Sequence, residues 1–302
     1  MSQQTSGSAP TSAQYAEFSG IVQSRLWSAV KGRISGEEMQ QKYIDDPNGP
    51  ENVMLRLRES FTVRSESGLV VPASPFFANE EVRSNYGYPQ GYAVKPICEQ
   101  LVALARHFPG LDAGSVLACS KELVGRPQEA EGWFAVPKFE KIGRNYNEAV
   151  EKVLDLIDGT RTFTNYRKGN MGEKYLRLSE RTMFALQMLG KKQKGDFLLI
   201  PAQFGLTWRG RSVRKVRYNY APNEFGLGSF VVGCMLLSHP ERLVQWEQLH
   251  IDCPGDEYSP VADGRFGNAP YFNFYDGKVE FNTYVVSYPF AYSGSASGFL
   301  SQ

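Results

Sequence analysis

From Trp208 to Tyr220 the chain reads Trp-Arg-Gly-Arg-Ser-Val-Arg-Lys-Val-Arg-Tyr-Asn-Tyr, basic residues among aromatic rings with no acid. Guanidinium planes grip phosphate oxygens in pairs, and aromatic rings stack on bases. Arg209, Arg211, Arg214, Lys215 and Arg217 are the candidate phosphate contacts, with Trp208, Tyr218 and Tyr220 as stacking surfaces. Lys191, Lys192 and Lys194 extend this patch if the fold brings them close. The competing reading is a solvated face whose charges serve in ordinary ion pairs.

A second group is acidic. His250, Asp252, Asp256 and Glu257 crowd one short segment, with Asp263 a little further on. Carboxylates converging on a turn can hold Mg²⁺ or Ca²⁺, which take oxygen ligands. A metal so held activates water for phosphoester hydrolysis. The spacing fits neither an EF-hand loop nor a zincin helix. A solvated Pro254-Gly255 turn after a strand ending near Ile251 explains the same residues.

Three weaker patterns complete the set. Ser293-Gly-Ser-Ala-Ser-Gly298 can turn backbone N–H groups toward a phosphate, but it lacks the lysine and the following helix of a P-loop. Ala296 occupies the serine place of G-x-S-x-G, so the segment reads as a flexible end. Asn223-Glu-Phe-Gly-Leu-Gly228 lacks the third glycine of a dinucleotide fingerprint, and Asn223 reads as a cap. His107 and His239 fall at predicted element ends; only His250 neighbours acids. No E-x-K triplet and no G-x-x-x-x-G-K-[ST] occurs, which removes the main support for one large nuclease class and for NTPases.

Positioning these groups falls to an α+β chain, mainly helical over 14–190 and β-rich over 191–302, as two lobes or one fused domain. Residues 1–13 form a polar tail. Tyr15, Phe18, Leu26 and Val30 start a helical stripe, broken by Asp46-Pro-Asn-Gly-Pro50. A short piece over 53–62 leads to an extended connection at Gly68–Pro75, and Asn85–Tyr92 is an ordered aromatic loop. Helices follow over Pro96–Phe108, from Asp112 to about Val124, over Asn145–Asp158, and from Ser179 to Leu189 with a stop at Gly190.

Phe197–Ile200 reads as a buried strand, Phe230–Leu237 as buried strand or helix, and Leu243–Ile251 as another strand. The sharpest element is an antiparallel hairpin at about 271–284. Asp276-Gly277 suits a type I′ turn, where both central residues need positive φ. That turn pairs Phe272 with Phe281 and Phe274 with Val279, placing all four on one face with Asn273 and Glu280 on the other.

Composition bounds the function. Thirty-three basic against 32 acidic residues leave a net charge of +1, so binding to nucleic acid or anionic membrane must come from a local patch. Cys98, Cys119, Cys234 and Cys253 stand too far apart for a Cys-rich zinc site or a disulfide framework. No signal peptide is visible, and the longest apolar run is far short of the about 20 residues that span a bilayer, so the reading is a cytoplasmic protein with no membrane partner. Three functions fit: a nucleic-acid-binding or phosphate-ligand-binding protein, a phosphoester hydrolase using Mg²⁺ or Ca²⁺, or a structural protein whose aromatic-rich surface binds another protein or itself.

Overall fold

The computed structural model describes residues 77, 79–114 and 125–300. The N-terminal tail, the helix from Tyr15, the Asp46–Pro50 loop, the 53–62 piece and the Gly68–Pro75 connection lie outside them, as does nearly all of the helix expected from Asp112.

In chain order the described elements begin with α1 (Ile97–His107), β1 (Gly132–Pro137), α2 (Tyr146–Asp158), β2 (Phe163–Asn165), β3 (Leu176–Leu178) and α3 (Glu180–Lys192). They continue with β4 (Phe197–Gln203), α4 (Val213–Asn219), β5 (Glu224–Gly226), α5 (Ser229–Ser238), β6 (His250–Asp252) and β7 (Asp256–Tyr258). The last are β8 (Asn268–Tyr275), β9 (Lys278–Val285), β10 (Ser293–Ser295) and β11 (Ser297–Phe299). This is a mixed α+β fold. No described helix is long and apolar enough to cross a membrane.

The helices show why their sequences stop and start where they do. Asn145 Oδ1 accepts the Glu148 N–H at 2.9 Å, and Tyr146, Ala149, Val150, Val153, Leu154 and Ile157 bury one stripe of α2. Ser179 caps α3, but the helix runs through Gly190 and ends at Gln193. An internal glycine costs only about 1 kcal/mol. Gln193 supplies the better stop, because its side chain bonds both the N–H and the C=O of Leu199, at 2.6 and 2.9 Å.

The run at 230–237 is helical, within α5, and all ten residues of α5 are buried. A helix apolar on every side has no stripe, which is why its sequence carries no period. It lies in the hydrophobic core against α1, α2 and β1.

One sheet has four antiparallel strands in the order β1-β4-β11-β5. The open edge of β1 is covered by Gln100, fully buried, whose amide donates to Trp133 O at 2.8 Å and accepts from Ala135 N at 2.9 Å. A side chain thus stands where a fifth strand would pair. The second sheet has seven strands, running β10-β6-β8-β7-β3, with β9 on β8 and β2 on β9. Strands before and after residue 190 pair in both sheets: β1 with β4, β2 with β9, β3 with β7.

The hairpin of β8 and β9 has the expected register, with Tyr275 opposite Lys278, Phe274 opposite Val279 and Phe272 opposite Phe281. Asp276 and Gly277 have φ of 50° and 72°, as a type I′ turn requires. Two expectations change. The 243–251 stretch forms strand only in its last residues, entering β6 at His250. The Ser293–Gly298 segment is not a loose end: β10 and β11 are buried throughout. Small side chains permit this, since Gly294 packs backbone to backbone on Gly205, and a Cβ on Gly205 would lie 2.5 Å from Gly294 O.

Candidate functional site

The basic segment is folded inward. After a single 3₁₀ turn at Leu206–Trp208, residue 211 forms an isolated bridge with Glu81, and α4 follows. Trp208 Nε1 donates to Glu224 Oε1 at 2.6 Å. Arg211 pairs with Glu81 at 3.1 Å and Lys215 with the same carboxylate at 2.6 Å, while Arg214 pairs with Glu80. Arg217 Nε donates to Pro254 O at 2.9 Å. Tyr218 meets Phe77 edge-on, and the buried Tyr220 meets Trp208 in the same way. Arg209 Nη1 bonds the Tyr86 carbonyl at 3.2 Å and stays exposed. Lys191 and Lys192 occupy the last turn of α3, where cations favour the helix dipole.

The acidic set separates for a simple reason. Neighbouring residues on a strand face opposite ways, so Asp256 turns into the core while Glu257 turns outward to Arg177 at 2.6 Å. Asp256 is fully buried, and its Oδ2 accepts the Ser229 N–H while its Oδ1 accepts the Tyr146 hydroxyl at 2.6 Å. Asp263 accepts from Arg265 and Ser259. Among the described residues no group of three or more His, Cys, Asp or Glu side chains is placed to share an ion. The expected ligand set His250, Asp252, Asp256 and Glu257 is therefore not assembled.

His250 and Asp252 do share a face. They lie on β6, which pairs in register with β10 (Ser293 beside His250, Ser295 beside Asp252) and with β8 (Tyr271 beside Asp252). Ile251, Phe272, Val279 and Phe281 point into the core. By alternation the opposite face carries His250, Asp252, Tyr271, Asn273, Tyr275, Glu280, Asn282 and Tyr284. Its polar groups are partly tied together. Asn273 Nδ2 donates to Glu280 Oε2 at 3.3 Å, Tyr166 O–H to Glu280 Oε1 at 3.1 Å, and Arg167 Nε to Asn282 Oδ1 at 2.9 Å.

Aromatic rings crowd this face. Trp246 lies 4.7 Å from His250, 5.4 Å from Tyr275 and 5.4 Å from Tyr292 by ring centroids. The loop after β9 adds Tyr288 and Phe290. Phe290 stacks on Tyr292 at 4.9 Å and meets Tyr284 and Tyr288 at 4.7 and 4.9 Å. Tyr86 joins from the other side, 6.2 Å from Tyr292. Trp246, Tyr275, Tyr284 and Tyr288 are between 36% and 56% exposed, so the array is an open surface and not a core. In the sequence, the spacing Tyr288, Phe290, Tyr292 is a period-two signal that continues the alternation of β9 and marks these rings.

Two titratable groups sit at its floor. Burial holds the His250 imidazole down to about 4, so it is neutral near pH 7, and its Nε2 has no partner among the described residues. Burial alone pushes the Asp252 carboxyl up to about 7. No hydrogen bond to that carboxyl comes from any described residue.

No family model, no characterised protein and no solved structure matches the chain.

Proposed function

We propose that this chain is an assembly protein whose aromatic face binds a second copy of itself. The observation that carries the reading is the open array of Trp246, Tyr275, Tyr284, Tyr288, Phe290 and Tyr292 on one side of the seven-stranded sheet. Tyr and Trp supply large, stiff contact area and dominate interface energetics. Contiguous exposed apolar surface of this kind marks association sites. A twofold axis presents the same patch on both partners, and rings pack on rings by offering edges to faces. A net charge of +1 leaves little repulsion between copies.

The nucleic-acid or phosphate-ligand reading retains less support, because Glu80 and Glu81 lie against Arg211, Arg214 and Lys215. Arg209 is the exception, at the Tyr86 edge of the aromatic face. The hydrolase reading retains only the juxtaposition of His250 and Asp252.

Sedimentation equilibrium over a wide concentration range tests the proposal. The expected result is a rise toward twice the 33.9 kDa chain mass, abolished in the double variant Y275S/Y288S, whose side chains are more than half exposed and so do not hold up the fold. A wild-type chain that stays monomeric throughout would overturn it. Salt-sensitive binding of a single-stranded oligonucleotide by wild type, lost in R209A, would favour the other reading instead.

A further inference from the structure

Away from the aromatic face, a cleft of about 900 Å³ is lined by the segments 88–97 and 126–133 together with Leu206 and Thr207. The two segments touch where a Cβ on Gly132 would meet the Val94 side chain. Three rings line it: Tyr88, Tyr92 and Trp133, with Tyr88 and Tyr92 edge to face at 5.3 Å. The half-buried carboxylate of Glu131 lies among them. Its Oε1 accepts the Tyr88 hydroxyl and its Oε2 accepts the Phe204 N–H at 3.2 Å. The Tyr88 oxygen in turn accepts the Leu206 N–H at 3.1 Å, which fixes the ring.

Glu131 has hydrogen bonds but no ion-pair partner among the described residues. Three cations lie nearby, and among the described residues none of them bonds the carboxylate oxygens. Lys95 turns to Glu241 at 2.9 Å and to Ser238 O at 2.9 Å. Arg126 bonds the Glu131 backbone carbonyl and is otherwise exposed, opposite in sign to the exposed Glu129. Arg242 is fully buried behind Tyr88, 3.8 Å from its ring centroid, and donates to Leu249 O at 3.0 Å. The Tyr92 hydroxyl is also buried in the lining, without a partner among the described residues.

We infer that this cleft binds an ammonium group, primary or methylated, as carried by a lysine side chain, with Glu131 as counter-ion and Tyr88, Tyr92 and Trp133 as walls. A cation over aromatic faces is attracted by their quadrupoles, more strongly when desolvated. The carboxylate meets the ammonium directly and gains the partner that burial denies it. In support, burial holds the Glu131 carboxyl above its ordinary range, and the hydrogen bonds from Tyr88 and Phe204, with the Arg242 charge, offset this only in part. A cation that needs the ionised carboxylate binds more tightly as pH rises through that range. The charged and titratable groups around Glu131 are Tyr88, Tyr92, Lys95, Arg126, Glu129 and Arg242; burial raises both tyrosines, and His239 beside Tyr92 is held down to about 4.

The test is a titration of the ¹⁵N-labelled full chain with n-butylammonium, read at the Trp133 indole N–H, with 1-butanol as the neutral match. A saturable shift with the amine alone is expected, weakened roughly tenfold in E131Q, whose amide oxygen still accepts from Phe204. If E131Q does not fold, wild type at pH 4.5 and 7.5 takes its place, with weaker binding expected at the lower pH. Equal shifts with butanol, no saturable shift, or an affinity unchanged by E131Q or by pH would each overturn the inference.

Discussion

Asp256 Oδ2 accepts the backbone N–H of Ser229 at 2.7 Å, and so caps a helix from a strand 27 residues further along the chain. The helix is α5, whose N-cap residue Gly228 has no side chain to cap it. An N-terminus buried in apolar surroundings leaves orphan donors that must find partners. The carboxylate answers that need and the Tyr146 hydroxyl holds its other oxygen. Burial nevertheless outweighs both contacts and pushes the carboxyl up to about 6.

Removing this cap should be felt throughout the core. D256A is expected to lose about 2–4 kcal/mol, since it deletes charge-assisted bonds and leaves buried donors unpaired. Y146F should lose less, about 1 kcal/mol, because the Ser229 bond survives. Urea unfolding of both variants measures the difference, and equal losses would contradict the assignment.

Asp252 predicts a pH dependence of defined sign. Its carboxyl ionises near 3.8 when exposed and is pushed up to about 7 in the fold. The folded chain therefore holds the proton where the unfolded chain has lost it. Stability relative to D252N should fall as pH rises through that window and level off above it. The neighbouring Tyr271 and Tyr292 stay protonated over this range, and His250 stays neutral over most of it. Self-association should weaken over the same window, because an interface would bury the carboxyl further. A stability difference between wild type and D252N that is flat from pH 4.5 to 8 would show that folding does not raise the Asp252 carboxyl.

Gln100 predicts a local effect with a local readout. Q100L fills similar volume but leaves Trp133 O and Ala135 N without partners at the edge of β1. The expected loss is about 2–4 kcal/mol, with hydrogen exchange at Ala135 accelerated more than at residues of β8. Protection at Ala135 that is unaffected would mean another group covers the edge.

Two glycines separate steric need from backbone conformation. Gly277 has positive φ but open space around it, so G277A should cost about 1 kcal/mol. Gly294 abuts the Gly205 backbone, where no side chain fits without moving both segments. G294A should therefore cost several times more, about 3 kcal/mol or above. Thermal melts of the two variants that shift equally would refute the close packing.

What could be read from residues alone was local. The hairpin register follows from two turn residues and a period-two pattern, all within a dozen or so positions. Asn145 and Glu148 announce α2 in the same way. Contacts between distant residues were not legible. Glu80 and Arg214 meet across 134 positions, so the basic segment reads as unbalanced until that contact is known. The α5 run, apolar on all sides, offers no period to choose helix over strand. Ser293–Gly298 looks like a loose end because nothing local reveals that glycine is needed against Gly205. His250 and Asp252 were visible as residues that could do chemistry, but the rings around them come from five separate segments.

The final strands also set the order in which the molecule can be completed. β11 lies between β4 and β5, and β10 pairs with β6 in the other sheet, with Ala296 alone between them. A nascent chain that has emerged only as far as β9 has a vacant lane between β4 and β5. Closure must then wait for residues made almost a hundred positions after β4, a contact of high order that slows folding. Until that moment two strand edges stay open to other chains, and the protein is most exposed to misassembly during its own synthesis.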